Sequence, residues 1–265
     1  MYRLGFIGTG NMGGALARAA VKNTDPKTVI LSNRTREKAE ELAMELGCAV
    51  GTMAEAAEAE YIFLGVKPKD MDACLGEIAP ILRTRKGGFV LVSMAAGLDT
   101  AAIQTKAGGA YPVIRLCPNT PVAIGKGLVA WCAKDASPAQ TEELAAMMAG
   151  CGLWDECPET LMDTASVLGG CTPAFAYMFI EALADGAVCA GMPRAQALRY
   201  AAKAVEGAAA LCGAADKHPE KLKDEVCSPG GSTIEGVLKL EELGFRAAAS
   251  QALLASVEKT KKMGK

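Results

Sequence analysis

Five short apolar runs punctuate the first half of the chain: "RLGFIG" (3–8), "TVILSN" (28–33), "EYIFLGV" (60–66), "GFVLVSM" (88–94) and "VIRLCPN" (113–119). Rich in β-branched and aromatic residues, each reads as a strand. Between them "NMGGALARAAVKN" (11–23), "TREKAEELAMELG" (35–47) and "PKDMDACLGEIAPILRT" (68–84) carry apolar residues at helical spacing. Strands alternating with helices of this length predict βαβ units and a doubly wound parallel sheet of the Rossmann type over residues 1–157.

From Pro158 onward the pattern is helical, and a second, all-helical domain is predicted over residues 158–265. "TPAFAYMFIEALADGAVCAGM" (172–192) is apolar on nearly every side, and "PRAQALRYAAKAVEGAAALCGAA" (193–215) continues with small residues. Glu181 and Asp185 fall inside the first of these, where lipid would make each costly. A helix of that kind is expected to lie between other helices or against a second subunit. Apolar faces of this extent exceed what one copy of so short a domain can hide, so a homodimer is predicted. One interruption stands out, "DEVCSPGGSTIEG" (224–236). Pro229 ends what precedes it, Gly230 and Gly231 allow positive φ, and Ser232-Thr233 start the next helix. Two meanings stay open: a helix N-cap after a turn, or a helix start whose free N–H groups receive a carboxylate.

Composition narrows the classes. With 265 residues and a net charge of −2, the chain can bury a core and offers no field for nucleic acid or an anionic membrane. Ten cysteines and one histidine occur without any C-x-x-C spacing, so no metal site is expected. "MYRLGFIGTG" enters a strand at once, leaving no room for a signal peptide. The reading is a cytoplasmic protein whose cysteines are reduced, small core residues.

The first strand runs into Gly8-Thr9-Gly10-Asn11-Met12-Gly13, a G-x-G-x-x-G that opens a helix. Gly8 allows the tight turn, Gly10 lets backbone approach a pyrophosphate, and Gly13 lets helix pack on strand. The second strand ends Ser32-Asn33-Arg34 with Arg36 nearby, and no carboxylate stands there to repel a 2′-phosphate. That favours NADP over NAD, the plainer alternative being a solvated helix start. "GVKP" (65–68) and "SMAAG" (93–97) lie at further strand ends, where small residues leave space for ribose and nicotinamide. Lys67 is either catalytic or simply solvated. "RLCPNTP" (115–121) either walls the cleft or is a kinked connection, and His218 is either an acid–base group or a surface helix-cap feature.

In order, "GFIGTGNMGGAL", "SNR", "GVKP", "SMAAG", "RLCPNTP", "PAFAYMFIEALADGAV" and "LKDEVCSPGGSTIEG" resemble the pyrroline-5-carboxylate reductase family over almost the whole chain. The resemblance implies a Rossmann domain that binds NAD(P)H and a helical domain that forms homodimers, often assembling further; with the end of the second strand, the expected cofactor is NADPH, with NADH possible at lower preference. The implied reaction reduces the cyclic imine 1-pyrroline-5-carboxylate to L-proline, the last step of proline biosynthesis. By the same resemblance Ile7, Gly8, Thr9, Gly10, Asn11 and Met12 hold the pyrophosphate, and Ser32, Asn33 and Arg34 the adenosine phosphate. Gly65, Val66, Lys67 and Pro68, with Met94, Ala95 and Ala96, line the nicotinamide ribose. Gly231, Ser232 and Thr233 take the substrate, Glu159 contacts it, and Thr233 is the candidate proton donor. Departures from the family pattern are Cys171 and Thr172 for Ser and Gly, Cys117 for Met, and Met53 for Asn.

The residues fit that reaction independently. A ketone reductase needs a proton donor, whereas a protonated cyclic imine becomes an amine on hydride addition alone. This chain offers one unpromising histidine and no obvious catalytic pair. Two rivals are a hydroxy-acid dehydrogenase using Lys203 and a non-catalytic NADPH-binding module.

Overall fold

The structure, a computed structural model, describes residues 1–85 and 87–263. Its first part runs β1 (Leu4–Ile7), α1 (Asn11–Ala20), β2 (Val29–Ser32), α2 (Arg36–Leu46), β3 (Ala49–Val50), α3 (Met53–Ala56), β4 (Tyr61–Leu64) and α4 (Met71–Thr84). There follow β5 (Val90–Ser93), α5 (Thr100–Ala107), β6 (Val113–Pro118), β7 (Gly127–Lys134), α6 (Pro138–Met147) and β8 (Gly152–Glu156). The remainder is helical: α7 (Met162–Cys189), α8 (Arg194–Ala214), α9 (Pro219–Val226), α10 (Ser232–Glu242) and α11 (Phe245–Met263).

One sheet has the order β3-β2-β1-β4-β5-β6-β7-β8. It is parallel from β3 to β6; β7 then runs antiparallel to β6, and β8 parallel to β7. All five expected strands form. Their side chains divide by alternation: Phe6, Leu31 and Phe63 enter one core cluster, Ile7, Ile30, Ile62 and Leu64 the other. Phe6 stacks on Phe63 at 4.3 Å between ring centroids. Covering both faces is what makes these strands continuously apolar.

By packing, the chain forms two compact units, residues 1–170 with 256–265, and residues 171–255. Within the second, only Ala184 and Ala197 are fully buried apolar side chains among the described residues. Tyr177, Met178, Leu183, Leu211, Leu238 and Leu243 stand exposed. The 172–192 segment is therefore not hidden between helices of one copy, which removes the first of the two environments expected for it. The stretch Glu159–Cys189 is long and apolar enough to cross a membrane, an 18-residue window within it reaching a mean hydropathy of 1.4, and the whole stretch contains Glu159, Asp163, Glu181 and Asp185.

All ten cysteines are free thiols. Cys74, Cys117, Cys132 and Cys151 are core residues as expected, but Cys189 and Cys212 are exposed in the single chain, a correction to the uniform core reading. Burial pushes the Cys74, Cys132 and Cys151 thiols up to about 12. At pH 8 their thiolate fraction is then about one in ten thousand. Native alkylation with iodoacetamide, followed by peptide mass spectrometry, should leave these three unmodified until the chain is denatured. Labelling that reaches them in native protein at pH 8 would contradict their burial.

Candidate active site

Ile7, Ser32, Leu64 and Ser93 stand in one register row across β2, β1, β4 and β5. Each is the last residue of its strand, so the next residues of all four strands emerge along a single edge of the sheet. Those are Gly8 to Met12, Asn33 and Arg34, Gly65 to Pro68, and Met94 to Ala96. The proposed cofactor residues of the first unit are thereby brought together. The chain leaves β1 toward β2 on one side and later returns to β4 on the other, which opens a crevice at the carboxyl ends of β1 and β4.

Three glycines are demanded by that edge. Gly8 has φ +95°, and a Cβ there would lie 2.7 Å from the Gly65 carbonyl carbon. A Cβ on Gly13 or Gly65 would overlap the Gly8 carbonyl oxygen. Gly10 differs: among the described residues, its own chain neighbours aside, no atom lies within 4 Å of its would-be Cβ, so its backbone is open to an approaching ligand. Gly10 is also the N-cap of α1 and supplies no side-chain cap, leaving the first N–H groups of that helix without acceptors. Thr9 adds a buried hydroxyl that has no hydrogen-bond partner among the described residues. Open backbone, uncapped N–H groups and an orphaned hydroxyl are what a pyrophosphate needs.

The loop is braced from β2. Gly8 N–H donates to the Ser32 carbonyl at 2.8 Å, and Thr9 N–H to Asn33 Oδ1 at 3.2 Å. Asn33 Nδ2 donates to the Thr35 carbonyl at 2.9 Å. Asn33 therefore tethers the glycine loop, a role its position in sequence does not announce. Arg34 is exposed and has no ion-pair partner among the described residues, whereas Arg36 is held by Glu40 at 2.7 Å. Ser32 is buried. Lys67 is exposed at the start of a 3₁₀ turn, Ala95 is buried beside half-buried Met94, and Ala96 is exposed.

In the second unit, Gly230 has φ +68° and Gly231 N–H donates to the Ser228 carbonyl at 3.0 Å. A Cβ on Gly231 would lie 2.5 Å from Ser228 Oγ. The N-cap of α10 is Gly231, which supplies no side-chain cap. Ser232 and Thr233 occupy the first two helical positions, exposed, and neither hydroxyl makes a hydrogen bond among the described residues. A Ser-Thr N-cap, one of the two meanings left open, is thus replaced by an uncapped helix start. His218 is a helix cap: its Nδ1 accepts from Glu220 N–H at 3.3 Å at the start of α9. Lys203 is exposed and paired with Glu206 at 2.9 Å.

Glu159 lies in the first unit, where its carboxylate accepts from Thr100 N–H at 2.7 Å and Thr100 Oγ1 at 2.9 Å. Of "RLCPNTP", Arg115 to Pro118 end β6 and Asn119 to Pro121 begin the connection that follows; buried Arg115 pairs with Asp163 at 2.6 Å, and Cys117 packs against Met162. Among the described residues no group of three or more His, Cys, Asp or Glu side chains is placed to hold a metal ion.

A mostly parallel sheet with an uncapped, glycine-lined loop at its switch point marks a dinucleotide-binding protein. Residues 3–97 match the family model described as NADP oxidoreductase coenzyme F420-dependent, and residues 159–263 the one described as pyrroline-5-carboxylate reductase dimerisation. Pyrroline-5-carboxylate reductase from Escherichia coli (strain K12) is 36% identical, over 99% of this chain and 98% of its own. That from Corynebacterium melassecola is 34% identical over the full length of both. Among solved structures, the Plasmodium falciparum pyrroline carboxylate reductase with NADP bound has a TM-score of 0.88 at 28% identity, covering 100% of this chain and 98% of its own. The Coxiella burnetii enzyme has a TM-score of 0.90 at 27% identity, covering 100% and 99%. The chain belongs to the pyrroline-5-carboxylate reductase family.

Proposed function

We propose that the protein reduces 1-pyrroline-5-carboxylate to L-proline, using NADPH in preference to NADH. The observation that carries this reading is the α10 start, where Gly231 leaves backbone N–H groups and two unengaged hydroxyls free for a carboxylate in a chain of this family. The nicotinamide cofactor supplies hydride when bound. Gly8 to Met12 would hold its pyrophosphate, Ser32 to Arg34 its adenosine phosphate, and Gly65 to Pro68 with Met94 to Ala96 its nicotinamide ribose. Gly231, Ser232 and Thr233 would fix the substrate carboxylate. Glu159 is the residue that the family resemblance places in contact with substrate, and its carboxylate is held by Thr100 within the first unit. An iminium that accepts hydride becomes an amine without a further proton, so orientation is the protein's main contribution.

This reading assigns residues 1–157 to the cofactor and 158–265 to dimerisation and substrate, in a soluble cytoplasmic homodimer able to assemble further. The exposed apolar side chains of the second unit support the dimer. Met178 is 70% exposed in the single chain, so Met178→Glu costs little within one copy. Size-exclusion chromatography with light scattering should find the unmodified chain at a multiple of 27.4 kDa and the variant shifted toward that mass. An unchanged elution would remove this helix from the interface.

The test of the function is NADPH oxidation by purified protein with 1-pyrroline-5-carboxylate against 3-hydroxyisobutyrate semialdehyde, with NADH run in parallel. Turnover of the imine alone is expected. Turnover of the semialdehyde alone would transfer the chain to the hydroxy-acid dehydrogenases, against the surface ion pair that occupies Lys203.

A further inference from the structure

Asn119 follows β6 at the carboxyl edge of the sheet and is 9% exposed. Its Nδ2 donates to the Gly169 carbonyl at 3.1 Å, and its Oδ1 accepts from Leu128 N–H at 2.9 Å. Gly169 lies in α7, four residues before Pro173, which stands inside that helix. Proline has no N–H, so the carbonyl that residue 173 would ordinarily engage loses its helical donor. That carbonyl is Gly169's, and Gly169 is buried, where an unpaired C=O is costly. A Cβ on Gly169 would lie 3.2 Å from Leu128 Cδ2, closer than ordinary contact, so glycine lets the helix backbone come near enough for the amide to reach.

We infer that Asn119 is a positioning residue whose side-chain amide replaces the N–H missing at Pro173 and holds the broken turn of α7 in one geometry. The division between the two compact units falls inside this turn, at Gly170 and Cys171. Alpha-helix 7 is also the covalent route from the sheet to the unit carrying Gly231 to Thr233. Slack in the turn should then appear in KM for the imine and not in cofactor binding. This kinetic part rests on the function proposed above.

A double-mutant cycle tests the inference. Asn119→Ala should lower the melting temperature by about 4 °C at fixed protein concentration. In a Pro173→Ala background residue 173 offers its own N–H to Gly169, and the same replacement should cost less than half as much. The Leu128 contact is lost in both backgrounds and cancels in the comparison. Equal losses in the two backgrounds, or failure to fold in both, overturn the inference; folding of the double variant alone supports it. On folded Asn119→Ala protein, KM for 1-pyrroline-5-carboxylate should rise several-fold while the NADPH dissociation constant stays within about twofold. A matching loss of NADPH affinity would make Asn119 a support of the sheet edge and overturn the positioning role. The melting cycle needs no turnover, so a chain inert toward the imine would sink the proposed function and leave this latch tested separately.

Discussion

Replacing Thr233 by alanine is expected to lower kcat/KM for 1-pyrroline-5-carboxylate by about 100-fold, with the NADPH dissociation constant within about twofold of its original value. The size follows from what the hydroxyl would do. A hydrogen bond to a charged partner contributes about 1.5–3 kcal/mol, roughly ten- to more than a hundredfold in binding or rate. Thr233 is the second residue of α10, exposed, with its hydroxyl unengaged, so nothing in the fold depends on it. Alanine is the better helix former, and α10 should persist. The division of the loss identifies the contact. If Thr233 only anchors the carboxylate, KM rises; if it bonds the ring nitrogen as the amine forms, kcat falls. Serine at the same position should recover most of the activity, because it keeps the oxygen. A Thr233→Ala enzyme that turns over normally would place the substrate elsewhere.

The legible part of this molecule is the part in which one residue type answers one local demand. The inner strands were readable because both faces of the sheet are covered and their apolar runs are continuous. Strand β8 carries no apolar run because it is the sheet's edge strand, exposed at every residue but Trp154, and β7 beside it begins on Gly127 and ends on exposed Ala133 and Lys134. Helices α5 and α6 were unread, being short and weakly patterned, although Asp99 and the Ser137/Gln140 capping box mark their starts. At the site, Gly8 and Gly13 were readable because no other residue fits their φ or contact. The Asn33 tether was not, since it depends on β2 lying in register beside β1. Nor was the Glu159–Thr100 pair, whose members stand 59 residues apart. The helical half announces more apolar surface than one copy can hide, and in the single chain Tyr177, Met178 and Leu183 are indeed left exposed.

Arg34→Asp is expected to lower kcat/KM with NADPH by about 100-fold and to leave kcat/KM with NADH within about threefold, reversing any preference smaller than the difference. Only the 2′-phosphate distinguishes the two cofactors at this edge, and the end of β2 is where the ribose 2′ substituent is read. Arg34 is the cation there with no ion-pair partner among the described residues; Arg36 is committed to Glu40, which raises its pKa by hydrogen bond and charge. Asn33 is occupied in bracing the glycine loop, so Arg34 would carry the charge recognition. Aspartate both removes that charge and sets a negative group against the phosphate, while offering the NADH ribose hydroxyl an acceptor. The residue is exposed, so stability should be unaffected and the melting temperature serves as the control. Since the attraction is electrostatic at a solvated site, raising ionic strength should weaken NADPH binding to the unmodified enzyme, whereas in the variant it screens the repulsion and the salt dependence at this site should reverse. Equal losses with both cofactors would mean that Arg34 supports the loop instead of reading the phosphate. In that event the buried Ser32 and the braced Asn33 are left as the residues that discriminate.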